Sequence, residues 1–198
     1  MLHINTNKKL TGFFIYIIGF SGSGKLSTAI ELSNAIDGLI VSSDLSSNVR
    51  TCSIYDEAFE HSKETQDRLY NIVQVMLQVI EAYPIDSKNY IFTNELIKNN
   101  DYSTGIYNSI VRLGEKMNAK LLPVILKCNL PTLQKRIELK MQKENRKIKN
   151  VVEKFRNKDL FIPPGAIEIE NSNMGVKDVA EKIVSHMHKL RYPFRGMA

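Results

Sequence analysis

The stretch Gly19-Phe20-Ser21-Gly22-Ser23-Gly24-Lys25 has the residue types and spacing best suited to chemistry in this chain. The pattern G-x-x-x-x-G-K is that of a loop that holds phosphate. Its glycines permit the φ angles that turn successive backbone N–H groups inward, and a helix opening at the loop's end adds a favourable dipole. Lys25 brings a positive charge to the β- and γ-phosphates. A glycine-rich turn without a ligand is the competing reading. What separates the two is context, because the phosphate loop needs a strand before it and a helix after it.

The next residue complicates the metal chemistry. A serine or threonine hydroxyl after the lysine would reach magnesium, but the residue here is Leu26. Ser27 follows, about 100° further around a helix of 3.6 residues per turn. Either magnesium is held mainly by nucleotide oxygens, water and a carboxylate, or the helix begins in a shifted register and Ser27 supplies the oxygen. The expected nucleotide site is therefore Gly19, Phe20, Ser21, Gly22, Ser23, Gly24, Lys25, Leu26 and Ser27, binding ATP with Mg²⁺.

The flanking pattern supplies the required context. Phe13–Ile18 is an unbroken β-branched and aromatic run, as expected of a central strand covered on both faces. Ala29, Leu32, Ala35 and Ile36 recur at helical spacing, and Asp37-Gly38 is expected to stop that helix. Further strands are expected at Leu39–Val41, Tyr90–Thr93, Leu121–Leu126 and Ala166–Ile169, with helices at 64–83, 104–118, 129–143 and 175–190. Pro123 points to an early or edge position for its strand. Five strands alternating with helices imply an α/β, three-layer αβα sandwich around a mainly parallel five-stranded sheet. No internal repeat or linker interrupts residues 1–198, which read as a single domain.

Composition agrees with a packed domain. The 198 residues are 43% hydrophobic and 24% charged, which excludes low-complexity and wholly disordered chains. Cys52 and Cys128 stand far apart with no ligand cluster, so neither a disulfide framework nor structural zinc is expected. His186 and His188 are two apart on a helix and face different directions. Lys8-Lys9 ahead of Phe13–Ile18 superficially resembles a secretory signal, but the run leads into the glycine loop and falls short of the ~20 apolar residues of a membrane span. The expected compartment is the cytoplasm. The segment Lys135–Lys158 holds ten Lys and Arg against three Glu, a balance of +7, so the rest of the chain carries −1 of the net +6. The pattern of a GTPase switch is missing: there is no N-K-x-D, and Asn157-Lys158-Asp159 has the wrong spacing.

The string GFSGSGKLSTAIEL resembles that of a group of small P-loop proteins of the AAA-ATPase or kinase-like type, whose loop reads GxxGSGK-[LY]-T-x-A. Three further features match that group: Phe92-Thr93-Asn94-Glu95-Leu96, the hydrophobic strand ending in Cys128, and Arg136 followed by Arg146-Lys147-Ile148-Lys149. The resemblance spans nearly the whole chain and implies a shikimate kinase or nucleoside monophosphate kinase architecture. An Asp-Asn-His sequence common in the group after strand two is replaced here by Ser42-Ser43-Asp44, so no acceptor is carried over.

Ligands of open parallel sheets bind beyond the carboxyl ends of the strands. After strand two, the resemblance implies that Asp44 contacts an acceptor hydroxyl and Arg50 an anionic group; equally, Asp44 can cap the segment that follows it. After strand three, Asn94 is a candidate substrate residue able to orient a metal-bound water. Glu95 is a candidate metal ligand, or else a solvated residue at a helix start. After strand four, the basic segment of about 135–158 reads as a lid, with Arg136, Arg146 and Arg156 neutralising charge on a transferred phosphoryl group. It reads alternatively as a solvated surface, or as a nucleic-acid surface poor in aromatic residues. The expected activity is ATP-dependent phosphoryl transfer to a small-molecule or nucleotide acceptor, with Lys25, Asp44, Arg136 and Arg146 catalytic. The alternative is a nucleotide-binding protein without turnover and with a basic nucleic-acid surface. No membrane partner is expected.

Overall fold

The computed structural model describes residues 12–42, 63–85, 88–143 and 159–191. Five strands, β1 (Phe13–Ile18), β2 (Gly38–Ser42), β3 (Asn89–Asn94), β4 (Lys120–Lys127) and β5 (Ile167–Glu170), form one sheet in the order β2-β3-β1-β4-β5. Every pairing is parallel. The helices are α1 (Lys25–Ile36), α2 (Lys63–Ala82), α3 (Asp101–Lys116), α4 (Leu130–Lys143) and α5 (Val176–Arg191).

β1 is central because all six of its side chains are apolar or aromatic and all are buried. Alternation along the strand divides them between two cores. Phe13, Ile15 and Ile17 pack with Ala29, Leu32 and Ile36 of α1 and Val179, Ile183 and Met187 of α5. Phe14, Tyr16 and Ile18 pack on the other face with Leu77 of α2 and Ile106, Ile110 and Leu113 of α3. The chain runs from β1 outward to β2 on one side, and from β3 across to β4 on the other. The strand order therefore reverses at the carboxyl end of β1, which is where such sheets place their ligands.

Two details differ from expectation. β4 is an interior strand, not an edge. Its Lys120 N–H bonds toward β1, to Gly12 O, while its Lys127 carbonyl accepts from Asn171 on the β5 side. Alternation then turns the Pro123 nitrogen toward β5, one residue before that pairing begins at Val124–Ile167, so the missing N–H interrupts nothing. α1 stops at Asp37 in the left-handed conformation (φ 53°), as expected, but β2 begins at Gly38, one residue before the expected start. Among the described residues no helix is long and apolar enough to cross a membrane.

Asn89 fastens the sheet's amino edge. Wholly buried, it accepts from Phe13 N (3.1 Å) and donates to Ile36 O (2.8 Å), joining β3 to β1 and to the end of α1. Asn89→Ala strands both backbone groups away from water. It should cost about 2–4 kcal/mol of stability, read as a lower urea midpoint.

Candidate functional site

The loop between β1 and α1 is anchored at both ends. Gly19 N donates to Asn94 O at the end of β3 (3.3 Å), and Ser23 N closes a turn on Phe20 O (3.0 Å). Gly22 (φ +81°) and Gly24 (φ +93°) take the left-handed conformation that side chains oppose; at Gly22 a Cβ would also lie 2.7 Å from Ile137 Cγ1. Gly24 is the N-cap of α1, and Thr28 N makes the helix's first backbone bond to Gly24 O (2.9 Å). The strand and helix that a phosphate loop requires are both in place.

Lys25 folds back over this loop, its Nζ donating to Gly19 O (2.8 Å) and Phe20 O (2.9 Å). The ammonium thus sits at the loop's mouth. Leu26 and Ser27 follow in the first turn of α1, both exposed, Leu26 by 42%. Ser21 is exposed and Ser23 is buried.

Behind the loop lies a polar junction. Asn171, just past β5, donates from Nδ2 to Ser23 O (2.7 Å). Arg136 of α4 donates from Nη2 to Asn171 O (3.1 Å), and its Nη1 lies 3.5 Å from Ser23 O and 3.6 Å from Cys128 Sγ. Next to it Glu170 accepts from the backbone and side chain of Ser172, which hold its carboxyl below the usual range. Arg136 is therefore joined to the loop through the carbonyl of Ser23 and to Asn171 through its carbonyl. Asn171 carries no motif. The only signal in the sequence is its place, the first polar residue after a strand.

Asn94 is tied down at three points. Its carbonyl accepts from Gly19, its Nδ2 donates to Tyr16 Oη (3.2 Å) and its Oδ1 accepts from Glu95 N (2.8 Å). Burial keeps the Tyr16 hydroxyl protonated far above neutral pH. Tyr16 in turn stacks on Tyr107, 6.0 Å between centroids. Tyr16 and Asn94 border an apolar cleft between the carboxyl ends of the strands and Met76 of α2 and Tyr102 and Ile106 of α3. Glu95 is half-buried in the connection after β3 and not at a helix start, since α3 begins only at Asp101, capped by Asn100. Asp44, Arg50, Arg146 and Arg156 lie outside the described residues.

Among the described residues no three His, Cys, Asp or Glu cluster as a metal site. The Ser27 hydroxyl and the Glu95 carboxylate are hard oxygen donors of the kind magnesium accepts.

No family model matches the chain, and no curated protein sequence does. Its likeness is to solved structures. A gluconokinase from Sinorhizobium meliloti 1021 aligns over 96% of this chain and 100% of its own, with a TM-score of 0.62 and 14% identity. The shikimate kinase of Acinetobacter baumannii, in complex with shikimate, covers 94% and 97% (TM-score 0.54, 18% identity). The fold is that of the P-loop kinases. The APS kinase CysC of Mycobacterium tuberculosis, in complex with AMPPNP and APS, shares it over 90% of this chain and 98% of its own, at a TM-score of 0.54 and 12% identity.

Proposed function

We propose that this chain is an ATP-dependent phosphotransferase, acting in the cytoplasm, that moves the γ-phosphoryl group to a small-molecule or nucleotide acceptor. The observation that carries this reading is the loop itself, closed by Lys25 and opening α1 through a left-handed Gly24. Phosphoryl transfer needs little covalent chemistry from the protein, so the work of the site is positioning and charge stabilisation. Loop N–H groups and the dipole of α1 hold the phosphates, and Lys25 exchanges its loop carbonyls for phosphate oxygens. Magnesium, when bound with the nucleotide, adds charge neutralisation; Glu95 would hold it, and so would Ser27 if the helix register brings its hydroxyl to the metal. The acceptor lies beside Asn94, with Asp44 on its hydroxyl and Arg50 on any anionic group. Arg136 holds the loop from behind, and Arg146 neutralises charge from the basic segment.

A second reading draws on the exposed Leu26: nucleotide binding without turnover, with the basic segment as a nucleic-acid surface. Hydrogen exchange separates the two. ATP with magnesium should raise the melting temperature and slow exchange across 135–158, while RNA at 150 mM salt should do neither. Protection of that segment by RNA and not by ATP would install the second reading in place of the first.

A further inference from the structure

We infer that Asn171 is a positioning residue of the phosphate loop: it holds the Ser23–Gly24 peptide in the orientation that aims the Gly24 N–H at a bound phosphate. This rests on the phosphate-binding reading above and adds to it a residue from the end of the edge strand β5.

The argument begins with the peptide unit. In a trans peptide the carbonyl and the following N–H point in opposite directions. Ser23 O is drawn away from the loop by Asn171 Nδ2 at 2.7 Å, with Arg136 Nη1 as a second donor at 3.5 Å. Its partner across the peptide bond, the Gly24 N–H, is thereby turned to the inside. That N–H meets no acceptor among the described residues, although it stands at the N-terminus of α1, where donors gather on anions. Gly24 at φ +93° lacks a Cβ, so its own conformation does not lock this peptide; an external hold is needed.

Asn171 is built for that hold. It is 3% exposed, its backbone N donates to Lys127 O (2.8 Å), and its carbonyl accepts from Arg136 Nη2 (3.1 Å). Fixed on both sides of its Cα, it delivers the amide to one place. The donor end of the amide is identified by its partner, since only the nitrogen can face a carbonyl oxygen. The other end, Oδ1, is buried with no partner among the described residues. An unsatisfied buried acceptor opposes folding and offsets part of what the Nδ2–Ser23 O bond contributes to stability. The polar side chain makes sense through what it does to the loop.

The test uses the full chain, inorganic tripolyphosphate as the probe, and two variants, Asn171→Leu and Asn171→Asp. Tripolyphosphate has no base, so its binding reports the phosphate contacts alone. In the unaltered protein it should bind and move the Gly24 amide resonance to lower field in ¹H–¹⁵N spectra. Asn171→Leu should unfold at a moderately lower urea concentration, because Ser23 O loses its 2.7 Å donor, and should bind tripolyphosphate about tenfold more weakly and lose the Gly24 shift. Asn171→Asp faces the Ser23 carbonyl with a second acceptor, and the loss should be larger. If the leucine variant does not fold, the aspartate variant decides by the same two readings. Wild-type affinity with an intact Gly24 shift in either folded variant overturns the role of Asn171 and leaves the phosphate loop standing. Absence of tripolyphosphate binding by the unaltered protein overturns both.

Discussion

Leu26→Ser should tighten magnesium in the ATP complex by about tenfold, roughly 1.4 kcal/mol, and leave metal-free nucleotide binding unchanged. The substitution adds a hydroxyl directly after Lys25, in the first turn of α1, where Leu26 now exposes 42% of its surface. Magnesium keeps several waters in such sites, so on our proposal the nucleotide, water and Glu95 hold it and the new oxygen replaces one water. Ser27 is the competing ligand. It too is exposed in that turn, in a helix whose first bond runs from Thr28 N to Gly24 O. If Ser27 already reaches the metal, Leu26→Ser changes little and Ser27→Ala weakens magnesium instead. Magnesium titrations of both variants with ATP present separate these outcomes.

What could be read from residue order was whatever burial and local geometry encode. The apolar run of β1, the alternation that splits it between two cores, and the glycine spacing of the loop all act within a few residues of themselves. Sheet and loop were therefore legible in advance. Polar partnerships across the fold were not. Asn171 meets Ser23 across 148 positions, and Asn94 meets Tyr16 across 78; no periodicity marks either. Asn94 was expected to face substrate or a metal-bound water, and its contacts to Tyr16 and to the Glu95 N–H had no signal in the residue order. Pro123 misled for a related reason. A proline's cost in a sheet depends on which neighbour its nitrogen faces, and that follows from register, which the start of β5 determines.

The largest effect belongs to Lys25. Its ammonium is half-buried at the loop mouth and already donates to two loop carbonyls, so it approaches a phosphate with its geometry largely set. Charge-assisted hydrogen bonds are worth about 1.5–3 kcal/mol each, and losing one or two of them weakens ATP by about 100-fold. The fold is held by the two cores on either side of β1, which Lys25 does not enter, so the melting temperature should shift little. Calorimetry of ATP against the unaltered protein and Lys25→Ala is the measurement closest to the phosphate-loop assignment. The expected result is clear binding by the first and a loss of about 100-fold in the second. Equal ATP affinity in a folded Lys25→Ala protein would contradict the assignment of Gly19–Lys25 as the phosphate site.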